Sequence, residues 1–182
     1  AQYYYYRHPR TYISSGGLGT MGFGLPAAIG AKLSVPDRHH VVISGDGSIQ
    51  MNIQELATAV TENIPVIVCI LNNRYLGMVR QWQELFYKKR YSYSYMGTFD
   101  GAPNPQLKGA NQGLSPDFVK LAEAYGCLGL RVDKNEDVEP AMKKALASKI
   151  PVVIDFVVEE EENCYPMVAS GIRIDEMIGD MA

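Results

Sequence analysis

Apolar positions along the chain gather into two kinds of run. His40 to Ser44 and Pro65 to Leu71 are continuously apolar at their centres, which predicts parallel strands covered on both faces. Leu128 to Val132 and Pro151 to Val158 predict two further strands. Elsewhere the spacing is helical. Across Asn52 to Asn63, Ile53, Leu56, Ala57 and Val60 fall on one face. Ser115 is expected to cap a helix with Pro116 at its first position, running through Phe118, Leu121 and Ala122 to a stop at Gly126. Val138 to Leu146 predicts a helix, and Leu76 to Phe86 can form another. Near the N-terminus, Arg10 to Ser14 is short and β-prone. In the small-residue segment Leu25 to Leu33, Pro26 suits a first helical turn, where its missing N–H costs nothing. Gly97 to Gly113, rich in Gly, Pro and Asn, predicts a loop.

Strands that alternate with helices predict an α/β fold: a parallel sheet with helices on both faces and right-handed crossovers. The chain reads as a single domain over 1–182, with 159–182 as a C-terminal arm. Its 182 residues, 47% of them hydrophobic, suffice for a sizeable core. Charge is nearly balanced, 17 basic against 20 acidic residues, and no basic stripe argues for nucleic acid. No apolar run approaches the ~20 residues of a membrane span. The start, Ala1-Gln2-Tyr3-Tyr4, has neither initiator Met nor signal pattern and reads like a cut through a longer protein. Cys69, Cys127 and Cys164 are odd in number and lack metal-type spacing. Cys69, inside an apolar strand, is expected in the core, and a reducing, cytoplasmic context is the default.

Two short polar motifs carry the chemistry. Gly45-Asp46-Gly47-Ser48 and Asn72-Asn73 each follow the carboxyl end of an apolar strand, and one crossover helix joins those strands. In a right-handed βαβ unit both ends lie on the edge where open α/β folds bind ligands. Two oxygen ligands separated by roughly two dozen residues can therefore meet at one ion. Magnesium suits such a set: it takes one or two side-chain oxygens and completes its octahedron with phosphate oxygens and water. Gly45 and Gly47 would let the backbone approach a diphosphate, Ser48 can donate to it, and the helix that follows can direct N–H groups at the anion. Alone, Gly-Asp-Gly is most often a turn and Asn-Asn a loop; their conjunction at two strand ends is what argues for a site. A rival motif is Gly17-Leu18-Gly19-Thr20-Met21-Gly22, which matches the dinucleotide fingerprint Gly-x-Gly-x-x-Gly and predicts an NAD-type oxidoreductase. That reading leaves Asn72-Asn73 unexplained and encloses the expected ribose-binding acid, Asp46, in a glycine turn. A third reading is a non-catalytic module that kept the fold.

Gly-Asp-Gly followed by Asn-Asn resembles the thiamin diphosphate fingerprint of the pyruvate-decarboxylase-like superfamily. The longer stretches Ser15 to Ala28, Asn52 to Ala59 and Leu71 to Gln83 resemble the acetolactate synthase (acetohydroxyacid synthase) large-subunit family. The resemblance implies a C-terminal thiamin-diphosphate-binding domain with Asp46, Asn73 and the backbone carbonyl of Tyr75 as Mg²⁺ ligands. It implies cofactor contacts from Gly19, Met21, Gly45, Asp46, Gly47, Ser48, Met51, Asn73, Tyr75, Leu76, Gly77, Met78 and Val79. Met21, about 25 residues before Asp46, matches the apolar residue that wedges beneath the thiazolium. Met51, Trp82 and Ser170 are implied at the substrate channel. The implied reaction condenses pyruvate with a second 2-keto acid, pyruvate or 2-ketobutyrate, with loss of CO₂, in branched-chain amino acid biosynthesis. The activating glutamate would lie in a domain absent from this chain, so the chain alone is expected to be inactive. FAD, bound mainly by another missing domain, a homodimer or tetramer, and a small regulatory subunit are further implications. The chain departs from the family's usual pattern at Gly97 to Leu114, which is longer, and at Val168 to Ile172.

Overall fold

The computed structural model describes residues 4–98, 100 and 115–179. In chain order its helices are α1 (Gly24–Ser34), α2 (Asp46–Ile49), α3 (Glu55–Thr61), α4 (Gly77–Phe86), α5 (Phe118–Ala124) and α6 (Val138–Ala147). The strands are β1 (Val41–Gly45), β2 (Ile67–Asn72), β3 (Leu128–Val132) and β4 (Val152–Val157). Two compact units emerge, residues 1–72 with 116–158 and residues 73–115 with 159–182.

All four strands lie in the first unit, in a parallel sheet of order β1-β2-β4-β3. Alternation along each strand sorts its side chains to two faces. Val42, Val68, Ile70 and Val153 face a core completed by Leu25 and Ile29 of α1, Leu56 and Ala59 of α3, and Phe118 and Ala122 of α5. Ile67, Cys69, Val152 and Ile154 face the other way, against Ala141, Met142 and Ala145 of α6. Helices thus cover both faces, as the apolar runs predict. Cys69 is core, and burial pushes its thiol up to about 11.

Four local expectations are corrected. The run Arg10 to Ser14 forms no strand among the described residues. The helix expected from Asn52 begins at Glu55, and its core face uses Ala59 where Ala57 was expected; Ala57 is exposed. Asp117, not Ser115, caps α5, with its carboxylate accepting from the N–H groups of Val119 and Lys120. Strand β1, expected to be covered on both faces, is an edge strand with Val41 and Ile43 exposed. An apolar run records that a strand is β-prone and buried somewhere; it does not say how far the opposite layer reaches. The loop expected over 97–113 lies largely outside the described residues.

The second unit is built differently. Tyr75 and Tyr95 form an antiparallel bridge, with Leu76 N–H donating to the Ser94 carbonyl and Met96 N–H to that of Arg74, both at 2.8 Å. The rings of Tyr91 and Tyr95 stand edge-on to Tyr75, at centroid distances of 5.9 and 5.0 Å. Helix α4 turns polar residues inward. Arg80, fully buried, donates to Glu84 at 2.7 Å, to the Glu161 carbonyl at 3.0 Å and to the Asn163 side chain. The Gln81 amide grips the backbone of Cys164 twice, donating to its carbonyl and accepting from its N–H, each at 2.9 Å. These bonds tie the start of segment 159–182 to α4.

Candidate functional site

In the first unit, the register Gly45↔Leu71 brings the carboxyl ends of β1 and β2 level. The chain leaves β1 directly into Asp46, whose side chain is only 1% exposed. Its Oδ1 accepts from the Gly47 N–H at 2.9 Å. A Cβ placed on Gly45 would meet no atom within 4 Å, so the backbone at this edge opens on free space. Helix α2, which follows, is a single turn. The help expected from the N-terminus of the following helix shrinks accordingly, because the dipole is a sum over aligned peptides. Ser48 Oγ accepts from the N–H of Gly22 at 3.0 Å and keeps its own proton for donation. Gly19 N–H and Thr20 N–H are held by the carbonyl and hydroxyl of Ser15, at 2.6 and 3.0 Å. Met21 and Met51, at 42% and 54% exposure, are large apolar side chains left accessible beside this loop.

A polar chain that sequence reasoning missed runs beneath β2. Asn72 Nδ2 donates to Asp155 Oδ1 at 2.9 Å; Asp155 Oδ2 accepts from Arg131 Nε at 3.1 Å. Arg131 Nη2 reaches Asp117 at 2.7 Å. Burial alone would raise the Asp117 pKa, but the α5 N–H groups and the Arg131 guanidinium outweigh it and hold the carboxyl below its ordinary range. The available signal was Asp155 itself, an acid inside the apolar run Val152 to Val157, since buried acids are rarely unpaired. Of the two adjacent asparagines, Asn72 is thus committed to internal structure.

Asn73 opens the second unit. Its Oδ1 accepts from the Tyr75 N–H at 3.2 Å, an Asx-type turn. A Cβ on Gly77 would lie 2.9 Å from Asn73 Nδ2, so glycine at 77 gives the amide its room. Tyr75 is buried; desolvation, with the Glu160 and Glu161 carboxylates nearby, pushes its phenol up to about 12. The backbone bonds flanking its bridge use the carbonyls of Arg74 and Ser94. With Arg80 and Gln81 facing in, α4 presents Met78, Val79, Trp82 and Phe86 outward at 40–54% exposure. The Trp82 and Phe86 rings pack edge-to-face at 5.8 Å. Leu76 is half-buried at the start of this helix, and Ser170 is exposed. An amphipathic helix normally hides its apolar stripe; among the described residues the stripe here is the accessible side.

The predicted site residues are therefore divided. Gly19, Met21, Gly45 to Ser48 and Met51 belong to the first unit, and Asn73, Tyr75 to Val79, Trp82 and Ser170 to the second. No cluster of three or more His, Cys, Asp or Glu suited to a metal occurs among the described residues. A set of one buried carboxylate, one amide oxygen and a backbone carbonyl is all hard oxygen, and suits Mg²⁺ rather than a transition metal.

Residues 1–156 match the family described as thiamine pyrophosphate enzyme, C-terminal TPP binding domain. The chain belongs to this family. The Gly17 to Gly22 motif is accordingly part of a thiamine pyrophosphate domain, and the NAD reading is set aside; among the described residues no strand precedes it, as a dinucleotide fold would need. The family assignment also fits the parallel four-stranded sheet with helices on both faces. Among relatives, the acetolactate synthase of Mycobacterium bovis is 49% identical over 97% of this chain and 27% of its own length. The acetolactate synthase isozyme 3 large subunit of Escherichia coli is 47% identical over 97% of this chain and 29% of its own. A thiamine diphosphate-dependent 4-hydroxybenzoylformate decarboxylase of Rhodococcus jostii superposes with a TM-score of 0.60 at 36% identity, over 78% of this chain and 24% of that one. The chain thus spans about a quarter of the length of the curated relatives it matches.

Proposed function

We propose that this chain is the diphosphate-binding part of an acetolactate synthase large subunit, a thiamin diphosphate-dependent transferase. The observation that carries this reading is the identity of 47–49% to acetolactate synthases across nearly the whole chain. In it, Asp46, the Asn73 side chain and the Tyr75 carbonyl hold Mg²⁺, and Gly45, Gly47 and Ser48 admit and bond the diphosphate. Asn73 is covalently joined to Asn72, which ends β2 level with β1; that continuity supports a ligand pair drawn from two strand ends. Gly19, Met21, Met51, Leu76, Gly77, Met78 and Val79 supply the apolar surround, and Trp82 and Ser170 flank the substrate path. Bound thiamin diphosphate supplies the carbon nucleophile for addition to a 2-keto acid and loss of carbon dioxide. The residues of this chain bind, orient and shield it from water. The substrates are pyruvate and a second 2-keto acid, pyruvate or 2-ketobutyrate.

The glutamate that activates the cofactor and most of an FAD site belong, on this reading, to further domains of a longer cytoplasmic protein. That protein assembles as a homodimer or tetramer and accepts a small regulatory subunit. Among the described residues no helix is long and apolar enough to cross a membrane. The test is calorimetry of Mg²⁺–thiamin diphosphate binding to the full-length protein, with acetolactate production from pyruvate measured alongside. Asp46→Ala is expected to weaken binding by at least about 100-fold, because losing a direct ligand exceeds the roughly 10- to 100-fold cost of losing a supporting residue. Equal binding by the two proteins sinks the site. Cofactor binding without acetolactate points to another thiamin diphosphate enzyme.

A further inference from the structure

Gly22 is the most tightly specified residue of the glycine loop. Its φ is +86°, a conformation that side-chain-bearing residues rarely adopt. A Cβ there would lie 2.8 Å from both Asn52 Nδ2 and Met51 Cβ. Both of its backbone polar groups are gripped by one short segment. Its N–H donates to Ser48 Oγ at 3.0 Å, and its carbonyl accepts from Asn52 Nδ2 at 3.1 Å. Ser48 sits two residues after Asp46, within the same turn. Asn52 lies just before α3, held by no helix of its own. Its amide is half-buried and spans a sequence separation of 30 residues to reach Gly22.

We infer that Asn52 is a positioning residue, which with Ser48 clamps Gly22 to the Gly-Asp-Gly turn and so fixes where the preceding residue, Met21, is presented. The inference rests on the proposed thiamin diphosphate site, with Met21 as its apolar support. Its physical content is a rigid link. Without the clamp, a glycine-rich loop carrying Leu18 at 92% exposure and Met21 at 42% has little packing to hold it. With the clamp, the loop is referenced to the diphosphate turn by two hydrogen bonds on one peptide-flanked glycine. Asn suits the task because it places a donor on a short side chain. Asp at the same position would set a carboxylate against the Gly22 carbonyl and remove the donor. The bond serves orientation more than affinity. The hydrogen bonds of the Asn52 side chain run to Gly22 and Gln54, so its loss should separate two quantities that loss of Asp46 changes together.

The experiment uses the full-length protein and measures two things in parallel. Calorimetry gives the affinity for Mg²⁺–thiamin diphosphate; proton NMR of quenched samples gives the hydrogen–deuterium exchange rate at the thiazolium C2 of the bound cofactor, with no substrate present. Asn52→Asp is expected to keep cofactor affinity within about threefold while slowing exchange about tenfold or more, the range that small misplacements produce. Met21→Ala, which removes the support itself, should slow exchange at least as much. The double variant Asn52→Asp with Met21→Ala should be no slower than Met21→Ala alone, since a residue acting only through another adds nothing once that other is gone. Thermal melts identify unfolded variants; should Asn52→Asp not fold, Asn52→Ser carries the same comparison. Exchange at the wild-type rate in the folded Asn52 variant overturns the inference, and so do additive effects in the double variant. Wild-type exchange by Met21→Ala removes the support role of Met21 and the inference with it. A wild-type protein that binds no cofactor fails the functional reading instead, and is seen before any variant is compared.

Discussion

The carboxylate of Asp46 stands at the end of a strand backed by Val42, Val68, Ile70 and Val153, and its Oδ1 accepts from the Gly47 N–H. The amide of Asn73 opens a unit whose largest fully buried side chains are Arg80, Tyr75 and Gln81. In the first unit, helices pack on both faces of the inner strands and on one face of β1, and the residues at the strand ends are short. In the second, side chains bond to carbonyls and N–H groups of a distant segment, and the apolar residues of α4 are left outside. The contrast teaches that stability and accessibility are being met separately. A hydrophobic core gives a rigid edge on which an anion can be held. A polar interior lets an apolar surface stay free to meet a ligand, because the helix that bears it is fastened from behind.

Substitutions in the two units should therefore differ in size and in which probe reports them. The far-UV signal of the sheet and its helices follows the first unit, and the fluorescence of the sole tryptophan, Trp82, follows the second. The largest effect is expected from Phe118→Ala, which empties a site with 0% exposure. It should cost about 4 kcal/mol in denaturant unfolding followed by far-UV circular dichroism. A cost below about 1 kcal/mol would mean that the core around α5 is not close-packed. Next comes Arg80→Met. It keeps the volume but strips Glu84, the Glu161 carbonyl and Asn163 of a charged donor, at a cost of about 2 kcal/mol. Its signature should be a changed Trp82 emission with the far-UV midpoint nearly unmoved. Movement of both probes together would break the comparison, by showing that the units unfold as one.

The smallest effect concerns charge at the α5 cap. The Asp117 pKa is depressed in the folded protein, so the stability it contributes is present above the unfolded value, about 4, and fades as pH falls through the lower folded value. Asp117→Asn keeps a capping oxygen but loses the charge facing Arg131. It should cost about 1 kcal/mol at neutral pH, and nothing once the wild-type carboxyl is protonated. Urea midpoints at pH 7 and at successively lower pH, below 4, check this; a constant difference between the two proteins would show that the charge contributes nothing.

How much of this was legible in the residues follows the same division. The strands and α6 could be read closely because an apolar run or a 3.6-residue repeat is written locally. So could α4, although its pattern is turned inside out, because periodicity gives the helix without saying which side is buried. The places of Gly-Asp-Gly and Asn-Asn at the ends of β1 and β2 were readable from the apolar runs before them. What could not be read depends on distant partners. Ser115 and Asp117 are both good capping residues, and Arg131, arriving from β3, bonds Asp117. Asn52 looked like the first residue of a helix, and only the fold brings Gly22 against it. Asp155 gave a local sign, an acid within an apolar strand, but its partners Asn72 and Arg131 lie on other strands.

One feature of the sheet bears on how the protein must be handled. Strand β1 lies at the sheet edge, and Val41, Ile43 and Leu71 share a face at 44%, 66% and 43% exposure. An open edge beside aliphatic side chains is a template on which a second copy can add a strand, the first step of aggregation. Arg38 and His39, exposed just before the strand, are the polar residues that flank it. Protein concentration thus becomes a variable to control in every measurement above.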